Sequence, residues 1–466
     1  MPPGLLRERY LLSAILALST GVRLLFSWRF LGFLSGDDVE ILETAFRSAF
    51  DLQYQPFEIR NLMLPELLVA PILAGAEAMG VGSTVWLVRL GMLPFVVLGT
   101  ISVWLVFRLA KLWFEDEGTA LLAAGLFSIH PLLIGYGSTS LPRNASTTAI
   151  LAAAVLLSAT GRNGVRGLVA GALLSLAFSM RYSEVIFLVP LLFVAWAFTD
   201  ETRDWWVRAS ALLGGFMVAT LATVGWADLH SWGEPFASLR EFSRYTLVEK
   251  RASTAIATQP WNWYLRRIAH WLPLTLIPVL FFTPRRRPTI AGWISVLAPL
   301  ACLTFVYHKS LRYLQGIVPF VCVLAAAGTV TLWRRGARKT VVMLMLATAL
   351  LGLRGGVRWQ HRKSVPAVMA AQELAKELPV GTAVLSQAWG WGGKLFLGNR
   401  VEVRAIVSPV TGPELLRSIE GADWVGLLGD DLIANPHLQK ILDEHGFEPQ
   451  HHFSWSRSQD VILFRR

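Results

Sequence analysis

The residues in this sequence that are best suited to catalysis are two adjacent acids, Asp37 and Asp38. They lie in the stretch LGFLSGDDVEILETAF (residues 31–46). The stretch directly follows the first long apolar run, and Glu40 and Glu43 come soon after the pair. A carboxylate can accept the proton of an attacking hydroxyl group, so either aspartate could act as a general base. The alternative is a solvated acidic turn that caps the following helix. Glu40 and Glu43 fit a helix face better than they fit catalysis.

Three basic side chains form a second candidate group, in the segment YHKSLRYLQGIVP (residues 307–319) between two apolar runs. His308, Lys309 and Arg312 could stabilise the negative charge that develops on a phosphate leaving group. They could equally be interfacial cations whose long side chains reach the membrane surface. Because ionisable residues at a membrane edge are costly, we treat all three as candidate ligands of a donor phosphate.

Weaker candidates for acceptor or sugar binding come from three other polar segments. Each has a structural alternative: an arginine can anchor a helix end, and aromatic residues can form a belt at the membrane interface. The candidates are Arg143, Arg181, Asp228, Trp261, Trp263 and Tyr264.

The composition is that of a helical membrane protein with many spans. Of the 466 residues, 54% are hydrophobic and 16% are charged, whereas a soluble domain carries about 25% charged residues. The net charge of +11 comes from Lys and Arg clustered in short loops, which the positive-inside rule explains without a nucleic-acid partner. Cys302 and Cys322 both lie in apolar runs, which disfavours a disulfide framework or a thiolate metal site.

Hydropathy predicts about eleven membrane-spanning helices, the first of them retained and not cleaved as a signal peptide. With the N-terminus inside, the basic loops fall inside, provided that residues 61–80 form an interfacial helix that does not cross. This predicted topology places every candidate residue on the outer face, which also carries the two long outer loops 31–82 and 227–267. The predicted spans are residues 10–30, 83–107, 119–137, 143–160, 166–180, 185–198, 207–226, 268–282, 290–305, 311–332 and 340–353.

The transmembrane domain is expected to comprise residues 1–360, and the composition changes from Pro366 onward. Residues 366–466 are predicted to form a small soluble α/β domain, with a helix at 367–377 and strands at 382–387, 423–429 and 460–466. Further helices are expected around Leu415 and His437. The loop pattern favours the extracytoplasmic side for this domain, but the basic segment RGGVRWQHRK before it leaves the other side open.

The segment YHKSLRYLQGIVP resembles the His-Lys-Glu-x-Arg-Phe motif of the lipid-phosphate-mannose-dependent α-mannosyltransferases of the GPI-anchor and N-glycan pathways. These enzymes belong to the GT-C superfamily, and this chain resembles a bacterial relative. Ser310 stands where the family has Glu. The residues that match or nearly match are His308, Lys309, Arg312, Tyr313 and Pro319.

Other segments carry the same resemblance. WADLHSWGEPF and QPWNWYL are similar to the family's Asp, aromatic-Gly and Pro-Trp-x-Trp-Tyr pattern, while STSLPRNASTT and Arg181-Tyr182 are looser matches. Gly36-Asp37-Asp38 resembles the family's Pro-Asp-Glu motif, and IRNLMLP (residues 59–65) resembles its later Arg-Ser…Pro segment. An alignment shifted by one residue would put Gly36 at the acid position, so the register stays open.

The resemblance implies a GT-C fold and an inverting transfer of a hexose, with mannose expected, from a polyprenyl-phosphate donor to a glycan or glycolipid acceptor. It implies Asp37 as general base with Asp38 beside it, and Lys309, Arg312 and His308 on the donor phosphate. No metal or other cofactor and no nucleic acid is expected. The expected location is the plasma membrane of a bacterium, with the active site on the extracytoplasmic face.

Two other functions fit the composition. A transporter or flippase of lipid-linked glycans should show inverted repeats and charges near mid-span, whereas here the charges sit at helix ends. A non-catalytic scaffold would leave the outer acids and cations unexplained.

Overall fold

The computed structural model describes residues 3–29, 36–50, 65–159, 161, 163–249, 258–359, 364–387, 392, 394–398, 400–454 and 460–466. The chain divides into two compact units. The first unit comprises Met1–Leu25, Phe57–Leu64 and Phe95–Gly356, and the second comprises Phe26–Pro56, Pro65–Pro94 and Val357–Arg466. The second unit therefore contains more of the chain than the predicted domain 366–466.

The first unit is helical. Its described residues include two short 3₁₀ segments, Tyr182–Phe187 and Leu311–Leu314. They also include a π turn, Leu221–Gly225, which joins two of the α-helices given next. The α-helices that lie wholly or mainly in it are α1 (Pro3–Arg29), α4 (Thr84–Phe114), α5 (Glu117–Ser128), α6 (Pro131–Tyr136), α7 (Pro142–Ser158), α8 (Asn163–Met180), α9 (Leu188–Ala197), α10 (Thr202–Thr220), α11 (Trp226–Trp232), α12 (Ala237–Ser243), α13 (Trp263–Arg266), α14 (Ile268–Trp271), α15 (Ile277–Leu280), α16 (Arg287–Phe305), α17 (Val318–Arg334) and α18 (Arg338–Trp359).

Four described helical stretches are long and apolar enough to cross a membrane: Glu8–Trp28, Thr84–Phe114, Thr202–Trp232 and Arg287–Phe305. Shorter apolar helices, such as Val318–Arg334, accompany them. The protein is thus a multi-pass membrane protein, as predicted, while the number of about eleven crossings stays a prediction.

Helices α8 and α10 pack closely because both carry glycines at their interface. A Cβ atom at Gly171 would overlap the carbonyl oxygen of Leu212, and one at Gly215 would overlap that of Leu168. Small residues that allow backbones to approach are the usual means of helix association in lipid. This contact fixes α8, whose C-terminal end leads into the site described below.

Two predicted helices are wrong as continuous elements. Residues 268–282 form α14, a 3₁₀ turn and α15 in place of one helix, and residues 119–137 divide into α5 and α6. Each break falls beside a proline, Pro273 or Pro131. Proline lacks a backbone N–H and clashes with the preceding turn, so it favours the start of a new helix over the continuation of an old one.

The second unit begins with α2 (Gly36–Phe50), a π turn (Pro65–Val69) and α3 (Ala70–Ala78). Leu42 of α2 packs where Gly91 leaves room, since a Cβ at Gly91 would come 2.8 Å from the Leu42 side chain. Helix α2 also contacts α20 (Lys394–Leu397) of the C-terminal domain.

The C-terminal domain has a five-stranded sheet of order β2-β1-β3-β5-β4. Strand β1 is parallel to β2 and β3, and β5 is antiparallel to β3 and β4. The strands and helices are α19 (Ser364–Glu377), β1 (Gly381–Ser386), α20, β2 (Val401–Ile406), α21 (Gly412–Ser418), β3 (Trp424–Leu428), α22 (Gly429–Ala434), α23 (His437–Glu444), β4 (Glu448–Phe453) and β5 (Val461–Arg465).

Three strands of this sheet are confirmed predictions, namely β1, β3 and β5, and so are the helices around Leu415 and His437. Strands β2 and β4 were not predicted. Strand β4 contains Glu448, His451 and His452, which are polar residues of an exposed sheet edge. Edge strands lack the apolar alternation by which a strand is recognised.

Candidate active site

Three arginines of the first unit converge on one aromatic ring, that of Tyr313. The guanidinium carbons of Arg143, Arg181 and Arg312 lie 4.5, 5.2 and 5.6 Å from the centre of the ring. The imidazole of His308 meets the same ring edge-on at 5.9 Å. Such distances are typical of cation–π contacts. The sequence places these residues in three separate segments, and the fold brings all of them together.

Arg143 is the buried member of this group. It occupies the first turn of α7, donates from Nη1 to the carbonyl oxygen of Tyr313 (3.1 Å) and from Nη2 to Ser183 Oγ (3.0 Å). Its Nη1 also lies 2.9 Å from the carboxylate of Glu184. The Arg143 guanidinium thereby connects α7 to two 3₁₀ segments, Tyr182–Phe187 and Leu311–Leu314. Buried arginines need such partners, because an isolated buried charge is very costly.

Arg181, Arg312 and His308 are only partly buried. Part of the surface of each is therefore accessible, whereas the side chains of Arg143 and Glu184 are 3% and 1% exposed. Guanidinium groups present a planar fork of donors that suits phosphate oxygens. The arrangement can therefore bind an anion of the phosphate type and stabilise charge that develops on it.

Lys309, a candidate ligand of the donor phosphate, makes hydrogen bonds to the backbone of two segments. Its ammonium donates to the carbonyl oxygens of Val306 (2.6 Å) and Gln259 (3.2 Å). The backbone N–H of Gln259 donates in turn to the backbone carbonyl oxygen of Tyr307 (3.0 Å). The side chain is buried, and burial lowers the pKa of its ammonium. Since an ammonium has three donors, one remains for a ligand. Lys309 chiefly fastens the segment at 259 to the segment at 307.

The aromatic candidates differ from one another. Tyr264 is buried, and its hydroxyl donates to the Ser310 carbonyl oxygen (3.4 Å). Burial raises the pKa of Tyr264, so this hydroxyl stays protonated at neutral pH. Trp263 stands edge-on to Tyr264 with ring centres 5.1 Å apart. Trp261 is 70% exposed, as a sugar platform or a membrane-interface residue would be.

Asp228, a weak candidate for sugar binding, lies in a buried hydrogen-bond network. It accepts from the backbone N–H of Ser238 (2.9 Å) and from the Ser238 hydroxyl (2.7 Å), which in turn contacts the Tyr182 hydroxyl. This geometry suits a residue that holds the loop after α11 in place next to Arg181.

The acids of the opening stretch belong to the second unit. Helix α2 begins at Gly36, so Asp37 and Asp38 stand in its first turn, where the helix dipole stabilises negative charge. Asp38 is buried, and Glu40 and Glu43, expected on a helix face, are buried as well. The Asp37 side chain and residues 59–64 of IRNLMLP lie outside the described residues. The shared face of these acids and the arginine cluster stays a prediction.

Sequence reasoning missed Glu184 and Ser183. Both follow Arg181-Tyr182 directly and precede an apolar run, so a carboxylate at the edge of a predicted span was the available signal. Over the described residues, no group of three or more His, Cys, Asp or Glu side chains is placed to hold a metal ion.

Several solved structures share this fold. The ArnT structure from Cupriavidus metallidurans with bound undecaprenyl phosphate aligns with a TM-score of 0.65 at 12% identity, covering 99% of this chain and 98% of that one. An Archaeoglobus fulgidus AglB oligosaccharyltransferase in complex with an inhibitory peptide and a dolichol-phosphate aligns with a TM-score of 0.56 at 10% identity, over 96% and 73%.

The arabinofuranosyltransferase AftD from Mycobacteria aligns with a TM-score of 0.58 at 14% identity, over 97% of this chain and 39% of that one. A comparison with curated proteins finds no match. At these identities the likeness shows the GT-C membrane fold alone.

The family is shown by the sequence itself. The model of the Alg9-like mannosyltransferase family matches residues 51–379, which include the arginine cluster and most of the first unit. The expected GT-C membership is thereby confirmed. The chain is a membrane glycosyltransferase and belongs to the Alg9-like mannosyltransferase family.

Proposed function

We propose that the protein transfers a hexose, namely mannose, from a polyprenyl-phosphate donor to a glycan or glycolipid acceptor, with inversion at the anomeric carbon. The observation that carries the proposal is the convergence of Arg143, Arg181 and Arg312 on the ring of Tyr313. A cluster of guanidinium groups at a helix end suits the phosphate of a lipid donor. The family supports mannose as the sugar.

The reaction assigns a task to each group. The acceptor hydroxyl oxygen attacks the anomeric carbon on the face opposite the phosphate, and the bond from that carbon to the phosphate oxygen breaks. The electron pair of the broken bond stays on the phosphate, where Arg181, Arg312 and His308 stabilise the added charge. Asp37 or Asp38 takes the proton of the hydroxyl. No metal ion is needed for this charge balance.

The location follows from the loop charges. Positive loops inside place α2 and the arginine cluster outside, so the active site belongs to the extracytoplasmic face of the plasma membrane. A lipid-linked donor can present its phosphate at that surface while its polyprenyl chain stays in the bilayer. Solved neighbours were crystallised or imaged with undecaprenyl phosphate and with a dolichol-phosphate, which supports a donor of this class.

The test uses the full-length protein in lipid vesicles with a synthetic polyprenyl-phosphate mannose and, in parallel, the glucose and arabinose analogues. We expect transfer from the mannose donor to lipid acceptors extracted from a bacterial membrane, and a product of inverted anomeric configuration. Transfer from another sugar only would overturn mannose as the substrate. Donor translocation across the vesicle without any glycosidic product would replace the enzyme by a transporter.

Two substitutions test the general base. Asp37→Asn and Asp38→Asn each keep the side-chain shape and remove the carboxylate. We expect one of them to lower kcat by at least about a hundredfold with a small change in KM, as for loss of a general base. Normal turnover in both variants would refute the assignment of the base.

A further inference from the structure

A cavity of 560 Å³ lies in the first unit, between α9, the start of α10 and the start of α16. Its apolar part is formed by Leu192, Phe193, Trp196 and Trp205. Its rim carries Asp200, Glu201 and Arg287. A mostly apolar lining with a few charged groups is the usual composition of a small-molecule binding site.

The cavity is well separated from the arginine cluster. Arg181 precedes the six-residue 3₁₀ segment Tyr182–Phe187 and the ten-residue α9, and the rim residue Thr199 follows α9. These two elements together rise roughly 27 Å, at about 2.0 and 1.5 Å per residue. That distance is close to the thickness of a hydrocarbon core, so the charged end of the cavity belongs to the opposite leaflet, on the side that the basic loops predict to be cytoplasmic. The apolar lining extends back along α9 to Val189.

Arg287 supplies the positive end of the rim. It stands at the start of α16, donates from Nη1 to the Thr199 oxygen (3.1 Å), and holds its guanidinium carbon 5.5 Å from the Trp196 ring centre. Arg285 and Arg286 precede it and are exposed. An arginine at a helix N-terminus favours a phosphate group, because the helix dipole and the guanidinium act in the same direction.

Asp200 and Glu201 supply the negative end. Both are exposed, and neither has an ion-pair partner in the part of the chain that the structure describes. Glu201 is the residue before the first turn of α10. Two carboxylates beside an arginine would repel a head group with net negative charge, and they would attract one that ends in an ammonium.

We propose that this cavity binds a membrane phospholipid with a primary-amine head group, of the phosphatidylethanolamine type. One acyl chain occupies the apolar interior, the phosphate lies at Arg287, and the ammonium donates to Asp200 and Glu201. A trimethylammonium head group has no N–H to donate, and a glycerol head group leaves the net negative charge facing two acids. The inference is independent of the reaction proposed for the arginine cluster.

The test measures lipid binding by native mass spectrometry of the delipidated protein, titrated with dioleoyl phosphatidylethanolamine, phosphatidylcholine or phosphatidylglycerol. We expect one tightly held phosphatidylethanolamine and weaker binding of the other two. The double variant Asp200→Asn with Glu201→Gln should weaken the binding of phosphatidylethanolamine by about fivefold, the upper end for exposed charge pairs. Its affinity for phosphatidylglycerol should be unchanged or higher.

Two further variants separate the cavity from general effects. Leu192→Trp places a large ring in the apolar interior and should weaken the binding of all three lipids to the same extent. The matched control, Glu420→Gln with Glu448→Gln, removes two exposed carboxylates of the C-terminal domain and should change nothing. Equal binding of the three lipids by the wild-type protein, or a preference for phosphatidylcholine, would overturn the proposal.

Discussion

Arg143 and Glu184 form an ion pair of 2.9 Å at a point where both side chains are almost fully buried, 3% and 1% exposed. The two residues come from different helical segments. Arg143 also donates hydrogen bonds to the Tyr313 carbonyl oxygen and the Ser183 hydroxyl. A buried pair of this kind is costly to break, because the remaining charge stays in a medium of low dielectric constant. It makes the wall of the candidate site rigid.

Removing one charge of this pair should therefore destabilise the fold. Glu184→Gln keeps the side-chain volume and leaves Arg143 without its carboxylate, so we expect a loss of about 3 kcal/mol in the free energy of unfolding. The exposed pair Arg240–Glu234, 2.7 Å in length with side chains 65% and 60% exposed, offers the control. Glu234→Gln should cost less than about 1 kcal/mol. Thermal unfolding in detergent measures both, and equal losses would contradict a special role for burial.

The partly buried arginines should matter for donor binding more than for stability. Arg312→Ala and Arg181→Ala each remove charge-assisted hydrogen bonds to phosphate, worth about 1.5–3 kcal/mol, and should weaken binding of a polyprenyl phosphate by at least about tenfold. Arg335→Ala removes an exposed arginine whose guanidinium lies over Phe282, and it should leave binding unchanged. Titration by isothermal calorimetry distinguishes these outcomes.

Tyr313 should act through its ring. Tyr313→Phe keeps the face that the three guanidinium groups contact, so most of the donor affinity should remain. Tyr313→Leu removes the ring quadrupole, which contributes about 0.5–1 kcal/mol for each cation, and should raise the donor KM several-fold. If the phenylalanine and leucine variants have the same donor KM, the ring contacts are not what organises the site.

Lys309 should give stability a dependence on alkaline pH. Burial lowers its pKa from the ordinary 10.5, so between the lowered value and 10.5 the unfolded chain binds more protons than the folded protein. Stability therefore rises with pH in that window. The difference in Tm between the wild type and Lys309→Met should grow in favour of the wild type as pH approaches 10.5. A constant difference from pH 8 upward would show that the ammonium is not desolvated.

Asp228 should behave as a residue that holds a loop, not as a sugar ligand. Asp228→Ala leaves the Ser238 N–H and hydroxyl without their acceptor, at a cost of about 1–3 kcal/mol in stability. At a temperature where the variant is folded, its KM for donor and acceptor should match the wild type. A large change in acceptor KM with normal stability would return Asp228 to the binding site.

The sequence was informative where one chemical pattern decides the structure. Apolar runs identified membrane helices, and short apolar runs at 382, 423 and 460 identified three strands of the C-terminal domain. The breaks at Pro131 and Pro273 are less predictable, because a proline inside an apolar run can begin, bend or end a helix depending on its neighbours.

The site shows the same division. His308, Lys309 and Arg312 were recognisable as a motif, yet the motif does not say that Lys309 bonds Gln259 and Val306 while Arg312 faces Tyr313. The hydrogen bond from Lys309 to Gln259 joins residues 50 positions apart, and Arg143 and Arg181 reach the Tyr313 ring from still farther along the chain. Spacing along the chain carries no information of that kind.

The hydrogen bond from Arg143 to the Tyr313 carbonyl joins residues 170 positions apart, which sets an order of events during biosynthesis. At about 5–20 residues per second, the ribosome adds those residues in roughly 10 to 30 s. Arg143 enters the membrane with α7 and can pair with Glu184 early. Its hydrogen bond to the Tyr313 carbonyl oxygen can form only after residue 313 has left the ribosome. The proposed anion site can therefore form only after residue 313 has been inserted, so a chain that stalls before that residue should lack it.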